Sequence, residues 1–123
     1  MRRVKVFLVE DAPLLRERLE KLISSIPGSR TIGHASSARE AVSAILAAEP
    51  DVVVLDLHLA EGSSGFDVLR DLMATGCATD VYVLTNHPEE AYRRTAERLG
   101  ARGFFDKSTQ FEALRTALAA RAG

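Results

Sequence analysis

The segment Asp51-Val52-Val53-Val54-Leu55-Asp56 decides the fold of this chain. Its four consecutive apolar residues are typical of a strand that is buried on both faces, and such strands lie in the centre of parallel sheets. Asp56 follows at the carboxyl end of this strand. Ligands of open α/β sheets bind outside the carboxyl ends of the strands. Asp56 is therefore the first candidate functional residue.

Strand and helix patterns alternate along the rest of the chain. The other strands are predicted over residues 4–9, 30–35, 81–85 and 102–105. The helices are predicted over residues 13–26, 37–49, 66–76, 88–99 and from 109 towards the C-terminus. This α/β alternation predicts one doubly wound parallel sheet with helices on both faces. Right-handed crossovers then place the carboxyl end of every strand at one edge of the sheet.

Two of the predicted helices begin with the spacing of a capping box. In this motif a serine or threonine and a glutamate three residues later satisfy the first backbone N–H groups of a helix. Ser37 with Glu40 has this spacing, and so does Thr109 with Glu112. We therefore expect both side-chain caps to form.

The fourth predicted helix carries opposite charges four residues apart, Glu89 with Arg93 and Glu90 with Arg94. Such pairs face each other on a helix surface and stabilise it weakly. We interpret this face as solvated, although a charged face also suits contact with a partner.

Composition indicates one ordinary globular domain over residues 1–123. The chain is 46% hydrophobic and 27% charged, and its formal net charge of -1 gives no electrostatic case for binding nucleic acid or an anionic membrane. No apolar stretch is long enough to cross a bilayer. The single cysteine, Cys77, has no partner for an intramolecular disulfide, and no signal peptide pattern is present. We therefore expect a cytoplasmic protein.

Polar residues follow four of the five strands at the shared sheet edge. They are Glu10 and Asp11 after the first strand, Asp56 after the third, Thr85 after the fourth and Lys107 after the fifth. Three clustered carboxylates raise one another's pKa unless positive charge neutralises them. A lysine and a divalent cation supply that charge, and Mg²⁺ suits oxygen ligands of this kind.

A carboxylate at such a site has the chemistry to accept a phosphoryl group as an acyl phosphate. Asp56 is the favoured acceptor, because Glu10 and Asp11, which are neighbours in the sequence, are better placed to hold the metal. Lys107 and the metal would offset charge on the phosphoryl oxygens. Thr85 would donate a hydrogen bond to one of them.

The sequence resembles the receiver domain of two-component response regulators along nearly its whole length. The resemblance rests on Val9-Glu10-Asp11, Leu55-Asp56-Leu57, Leu84-Thr85 and the terminal segment from Gly100 to Ser108. It implies a flavodoxin-like fold of five strands and five helices, with strand order 2-1-3-4-5.

The resemblance also implies a role for each residue at the sheet edge. Asp56 would be phosphorylated by a histidine kinase or a phosphotransfer protein, and Thr85 and Lys107 would contact the phosphate. Phe104 would be the aromatic switch residue, while the adjacent Phe105 faces the other side of the sheet. The Mg²⁺ ligands would be Glu10, Asp11, Asp56 and the backbone carbonyl of His58.

Phosphorylation is expected to switch the surface formed by the fourth helix, the fifth strand and the fifth helix. The pair Lys107-Ser108 resembles receivers attached to helix-turn-helix transcription regulators, which implies a role in transcription regulation. The domain would be a signalling module and not an enzyme, beyond self-catalysed phosphorylation and dephosphorylation. It would act through an output domain or a partner protein and not bind nucleic acid or membrane itself. Homodimerisation is possible.

Three alternatives stay open at this point. The chain is either the regulatory part of a longer regulator or a stand-alone receiver that acts by protein contacts or phosphorelay. A flavin- or nucleotide-binding domain is less favoured, because the loop after the first strand carries two carboxylates and no glycine-rich phosphate motif. A Mg²⁺-dependent phosphatase would need a general acid and a substrate pocket that the sequence does not indicate.

The three histidines, His34, His58 and His87, do not have the spacing of a metal-ligand set and are interpreted as incidental. His58 and His87 nevertheless lie two residues beyond Asp56 and Thr85. These positions resemble those that tune hydrolysis of the phosphate in receiver domains.

Overall fold

Five strands pair in a single parallel sheet in the order β2-β1-β3-β4-β5. The structure is a computed structural model that describes residues 3–122, apart from the side chain of residue 61. The strands are β1 Val4–Val9, β2 Ser29–Ala35, β3 Val52–Leu55, β4 Asp80–Thr85 and β5 Gly103–Asp106. The fold class and the strand order that the sequence predicts are both confirmed.

Helices follow all five strands within the described residues. They are α1 Pro13–Ser24, α2 Ala38–Ala48, α3 Gly65–Ala74, α4 Glu90–Arg98 and α5 Phe111–Ala122, with a single 3₁₀ turn at Ala60–Gly62. Each predicted helix is present. α1 begins at Pro13 as predicted, and the other predicted helix ends differ from the structure by one or two residues. The largest differences at a helix start are two residues, in α4, which begins at Glu90 and not at Pro88, and in α5, which begins at Phe111 and not at Thr109.

The apolar core forms two layers, one on each side of the sheet. β3 is buried along its whole length and contributes Val53 and Leu55 to the layer under α2 and α3, and Val52 and Val54 to the layer under α1 and α5. In β5 the adjacent rings also separate, with Phe104 in the first layer and Phe105 against the second. Alternation along the strands therefore fixes which side chains reach which layer.

The capping box predicted for α2 is wrong. Ser37 occupies the N-cap position in an extended conformation, but its side chain makes no capping hydrogen bond. The hydroxyl of Ser63 takes that role instead, accepting a hydrogen bond from Ala38 N at 3.1 Å and donating one to Ala60 O at 2.7 Å. The start of α2 is therefore tied to the loop after β3, 25 residues away in sequence.

The capping box predicted for α5 at Thr109 is wrong, because the helix begins later in the sequence. The helix begins at Phe111, so Gln110 and not Thr109 precedes its first turn. The side-chain oxygen of Gln110 instead accepts a hydrogen bond from Asp106 N at 2.8 Å, which ties the helix start back to the end of β5.

We expect Ser63→Ala to destabilise the domain by about 1 kcal/mol, because the first turn of α2 loses its hydroxyl cap. Ser37→Ala is the matched control and should have a smaller effect, since the Ser37 side chain makes no cap. Urea unfolding followed by circular dichroism measures both. Equal losses, or a larger loss in Ser37→Ala, would contradict this assignment of the cap.

Candidate functional site

Four strands bring the candidate residues to one edge of the sheet. Glu10 follows β1, Asp56 follows β3, Thr85 ends β4 and Lys107 follows β5. The ammonium Nζ of Lys107 lies 2.9 Å from Glu10 Oε1 and 2.9 Å from Asp56 Oδ2. Because these three side chains are at most 10% exposed, the two ion pairs lie largely out of solvent.

Asp11 completes an acidic cluster with Glu10 and Asp56. One carboxylate oxygen from each residue lies within 4.8 Å of the other two, and Asp11 is the exposed member. The donor set consists of oxygen atoms, which suits a hard divalent cation such as Mg²⁺. The open side at Asp11 gives room for water or a phosphate oxygen to complete the coordination.

The turn after β3 holds Asp56 in place. Asp56 Oδ1 accepts a hydrogen bond from His58 N at 3.2 Å, and Gly65 N donates to Leu57 O at 2.9 Å. A Cβ atom at Gly65 would overlap the backbone oxygen of Asp56. The start of α3 therefore packs directly against the acceptor backbone, and a glycine is required there. The sequence pattern does not indicate this requirement.

The charges in the cluster shift two pKa values. Burial raises the pKa of Glu10 above its ordinary value, and the negative charge of Asp56 adds to this effect, whereas the hydrogen bonds from Lys107 and Ala12 N oppose it. For Lys107, burial acts to lower the pKa, but hydrogen bonds and charge attraction from Glu10 and Asp56 outweigh it and raise the pKa. Lys107 therefore holds its proton more strongly than a free lysine does. The ionised form of Glu10, in contrast, is destabilised.

Without a divalent cation, we expect the stability of the domain to fall as pH rises past the ordinary Glu pKa of 4.5. The folded state holds the Glu10 proton to higher pH than the unfolded chain does. The stability that this proton contributes is present below the unfolded pKa and is lost as pH rises through the folded pKa. Glu10→Gln should flatten this slope in EDTA. Urea unfolding at several pH values measures it, and parallel slopes for the two proteins would contradict the shift.

Thr85 and Phe104 are buried in the neighbouring strands β4 and β5. Thr85 is fully buried, and its Oγ1 accepts a hydrogen bond from His87 N at 3.0 Å. Phe104 is 5% exposed, and the guanidinium carbon of Arg93 in α4 lies 4.9 Å from its ring centroid. A cation–π contact of this kind joins α4 to β5.

Comparison with known proteins assigns the chain to a family. Residues 6–119 match the family model of the response regulator receiver domain. The chain belongs to the response regulator receiver domain family. The flavin- or nucleotide-binding alternative is therefore not favoured.

Two relatives of this receiver domain are named as transcription regulators. The DNA-binding transcriptional activator DevR/DosR of Mycobacterium tuberculosis is 36% identical over 104 residues, which cover 85% of this chain and 48% of that protein. The uncharacterized transcriptional regulatory protein YvfU of Bacillus subtilis is 32% identical over 115 residues, 94% of this chain and 57% of YvfU. The receiver domain thus spans about half the length of these relatives.

A solved structure shares the whole fold. The crystal structure of a LuxR family two-component response regulator from an Aurantimonas species superposes with a TM-score of 0.90 at 31% identity, covering 98% of this chain and 85% of that one. Among the described residues of the receiver domain, no helix has the length and apolar character to cross a membrane.

The structure brings two of the three histidines together, a contact that the sequence pattern does not predict. The ring centroids of His58 and His87 lie 4.1 Å apart, and Tyr92 lies 6.2 Å and 6.1 Å from them. Because β3 and β4 are neighbours in the sheet, the segments that follow their ends run side by side. His58, three residues after the end of β3, therefore contacts His87, two residues after the end of β4. The order of the strands in the sheet indicates this contact, whereas the spacing of the histidines in the sequence does not.

The charged pairs of α4 are confirmed in part. Glu90 lies 3.8 Å from Arg94, as predicted, but it also lies 3.8 Å from Arg93. The predicted pair of Glu89 with Arg93 is wrong. Glu89 precedes the helix in an extended conformation, and its carboxylate lies 3.9 Å from Nδ1 of His87.

Proposed function

We propose that this receiver domain accepts a phosphoryl group on Asp56 from the phosphohistidine of a sensor kinase or a phosphotransfer protein. The observation that carries the proposal is the position of Lys107, whose ammonium lies 2.9 Å from both Glu10 and Asp56. A buried cation that bridges two carboxylates also compensates added phosphoryl charge at the same point. Family membership supports this role.

The chemical step is a displacement at phosphorus. A carboxylate oxygen of Asp56 forms a P–O bond while the P–N bond of the phosphohistidine breaks, and the departing imidazole nitrogen takes the electron pair and then a proton. Lys107 lies within reach of a phosphoryl oxygen on Asp56. Thr85 Oγ1 accepts from His87 N, and this bond leaves its O–H proton for a second phosphoryl oxygen.

The acidic cluster fits a Mg²⁺ ion held by Glu10, Asp11, Asp56 and the backbone carbonyl of His58. When bound, the ion supplies positive charge next to the transferring phosphoryl oxygens. Glu10 is fixed for this role, because its Oε2 accepts a hydrogen bond from Ala12 N at 3.1 Å. Asp11 is exposed and remains accessible to solvent and to the phosphodonor.

The signal would leave the site through Thr85 and reach α4, β5 and α5. Movement of Thr85 towards the phosphoryl group would break its hydrogen bond from His87 N and displace the loop before α4. Phe104 already lies buried under Arg93, so a shift of α4 acts directly on the contact with this ring. A partner that binds the phosphorylated and unphosphorylated states with different affinities would respond to the change.

We further propose that the output is control of transcription through a DNA-binding domain, as the names of the relatives suggest. The receiver domain itself would contact the kinase and the output domain and not nucleic acid. Self-catalysed phosphorylation and dephosphorylation would be its only chemistry. Homodimer formation stays a prediction.

Acetyl phosphate tests the proposal without a known kinase. With Mg²⁺ present, intact-mass spectrometry should show the gain of one phosphoryl group, and hydroxylamine should remove it, as expected of an acyl phosphate. EDTA should prevent the gain. No modification under these conditions, together with no NMR shift on adding beryllofluoride and Mg²⁺, would overturn the proposal.

A further inference from the structure

Two exposed imidazole rings lie next to the acidic cluster. These side chains have no part in the proposed chemistry. The rings of His58 and His87 contact each other with an interplanar angle of 36° and a centroid distance of 4.1 Å. His58 is exposed, and the side chain of His87 is 45% exposed. We call these two residues the histidine pair.

The histidine pair is held from the backbone. His58 N donates to Asp56 Oδ1 at 3.2 Å, and His87 N donates to Thr85 Oγ1 at 3.0 Å. Each bond closes a tight turn at the end of a core strand, so both ring-bearing residues project from rigid elements. This rigid attachment preorganises the histidine pair, because little backbone freedom is lost when a ligand binds.

A carboxylate adds a third candidate donor. Glu89 Oε1 lies 3.9 Å from His87 Nδ1, and the Glu89 side chain is 59% exposed, so it is free to rotate towards an ion. Two imidazoles with a carboxylate form a common ligand set for zinc, with water in the fourth position. Tyr92 bounds the pair on the α4 side at 6.1 to 6.2 Å.

We propose that the histidine pair binds a divalent transition-metal ion of the Zn²⁺ class, with Glu89 as the third protein ligand. The site is separate in chemistry from the acidic cluster. Imidazole nitrogen favours Zn²⁺, Ni²⁺ and Cu²⁺, whereas the oxygen set of Glu10, Asp11 and Asp56 favours Mg²⁺. The two sites therefore select different ions although they lie side by side.

An ion at the histidine pair would sit two residues from both Asp56 and Thr85. It would fix the His87 backbone. The hydrogen bond from His87 N to Thr85 Oγ1 must break if Thr85 moves. Zinc would thus slow phosphorylation of Asp56, and this consequence rests on the proposed function. Binding of zinc itself does not.

Calorimetric titration of Zn²⁺ into the domain, with Mg²⁺ in excess to occupy the acidic cluster, tests the site. We expect one Zn²⁺ per chain in the wild type and in His34→Ala, which removes an exposed histidine on β2. His87→Ala should weaken binding by at least about tenfold, and Glu89→Gln should weaken it less. Circular dichroism checks that each variant is folded.

Asp11→Asn separates the two sites. Zinc affinity that is unchanged in this variant supports the histidine pair, whereas affinity that falls in Asp11→Asn but not in His87→Ala would place the ion in the acidic cluster and overturn the proposal. Failure of the wild type to bind Zn²⁺ would also overturn it. Neither result bears on phosphorylation, which acetyl phosphate with Mg²⁺ tests independently.

Discussion

Asp56→Asn is expected to abolish phosphorylation by acetyl phosphate and the response to beryllofluoride. The amide has a similar shape and keeps an oxygen for the hydrogen bond from His58 N or from Lys107. It lacks the anionic oxygen that attacks phosphorus. Intact-mass spectrometry should show no gain of a phosphoryl group, and NMR spectra with and without beryllofluoride and Mg²⁺ should coincide.

A matched control separates this effect from a general loss of negative charge. Asp71 lies exposed on α3, away from the sheet edge, and Asp71→Asn should be phosphorylated like the wild type. Phosphorylation that persists in Asp56→Asn would assign the acceptor to another carboxylate, with Asp11 as the first alternative because it is the exposed member of the acidic cluster.

Asp56→Asn should also make the domain more stable when no divalent cation is present. The acidic cluster holds three carboxylates around a single ammonium, and burial together with the charge of Asp56 raises the pKa of Glu10. Removing one negative charge relieves that repulsion. A site that is more stable once its acceptor is neutral is under functional and not structural selection, as is common where strain is concentrated in an active site.

The sequence predicts the sheet and its functional edge because both depend on local patterns. The apolar run from Val52 to Leu55 identifies a central strand without reference to other parts of the chain. Once the strands are parallel, Glu10, Asp56 and Lys107 have to follow their carboxyl ends at the same edge. The convergence of the acidic cluster is thus a consequence of topology, and topology follows from alternating periodicity.

Features that depend on contacts between distant segments could not be predicted in this way. Ser63 caps α2 because the loop after β3 folds back onto it, and the spacing of Ser37 pointed to a cap that does not form. Gly65 is required only because α3 begins against the backbone of Asp56. The histidine pair meets only because β3 and β4 are neighbours. In each case tertiary packing decided the outcome.

Lys107→Met is expected to have the largest effect on stability. Methionine keeps the unbranched apolar stem, so the substitution removes the charge with little loss of packing. Glu10 and Asp56 would then be buried carboxylates without a cation, at 3% and 6% side-chain exposure. Removing one partner of a buried ion pair typically costs about 3–5 kcal/mol. Urea unfolding in EDTA should show a loss of this order.

The loss should depend on Mg²⁺ and on pH in a defined way. A cation that binds only the folded state stabilises it by mass action, so millimolar Mg²⁺ should restore part of the loss in Lys107→Met. Lowering the pH towards the ordinary Glu pKa of 4.5 should also reduce it, because Glu10 then binds a proton. Lys21→Met, an exposed substitution on α1, should change stability by less than about 0.5 kcal/mol.

Combining Lys107→Met with Asp56→Asn tests whether charge is the cause. If repulsion between Glu10 and Asp56 destabilises Lys107→Met, the second substitution removes one of the two charges and should recover much of the stability. If Asp56→Asn stabilises Lys107→Met by no more than it stabilises the wild type, Lys107 would instead act through packing. In that case neutralisation of the acidic cluster by Lys107, on which the proposed phosphoryl acceptance depends, would have to be abandoned.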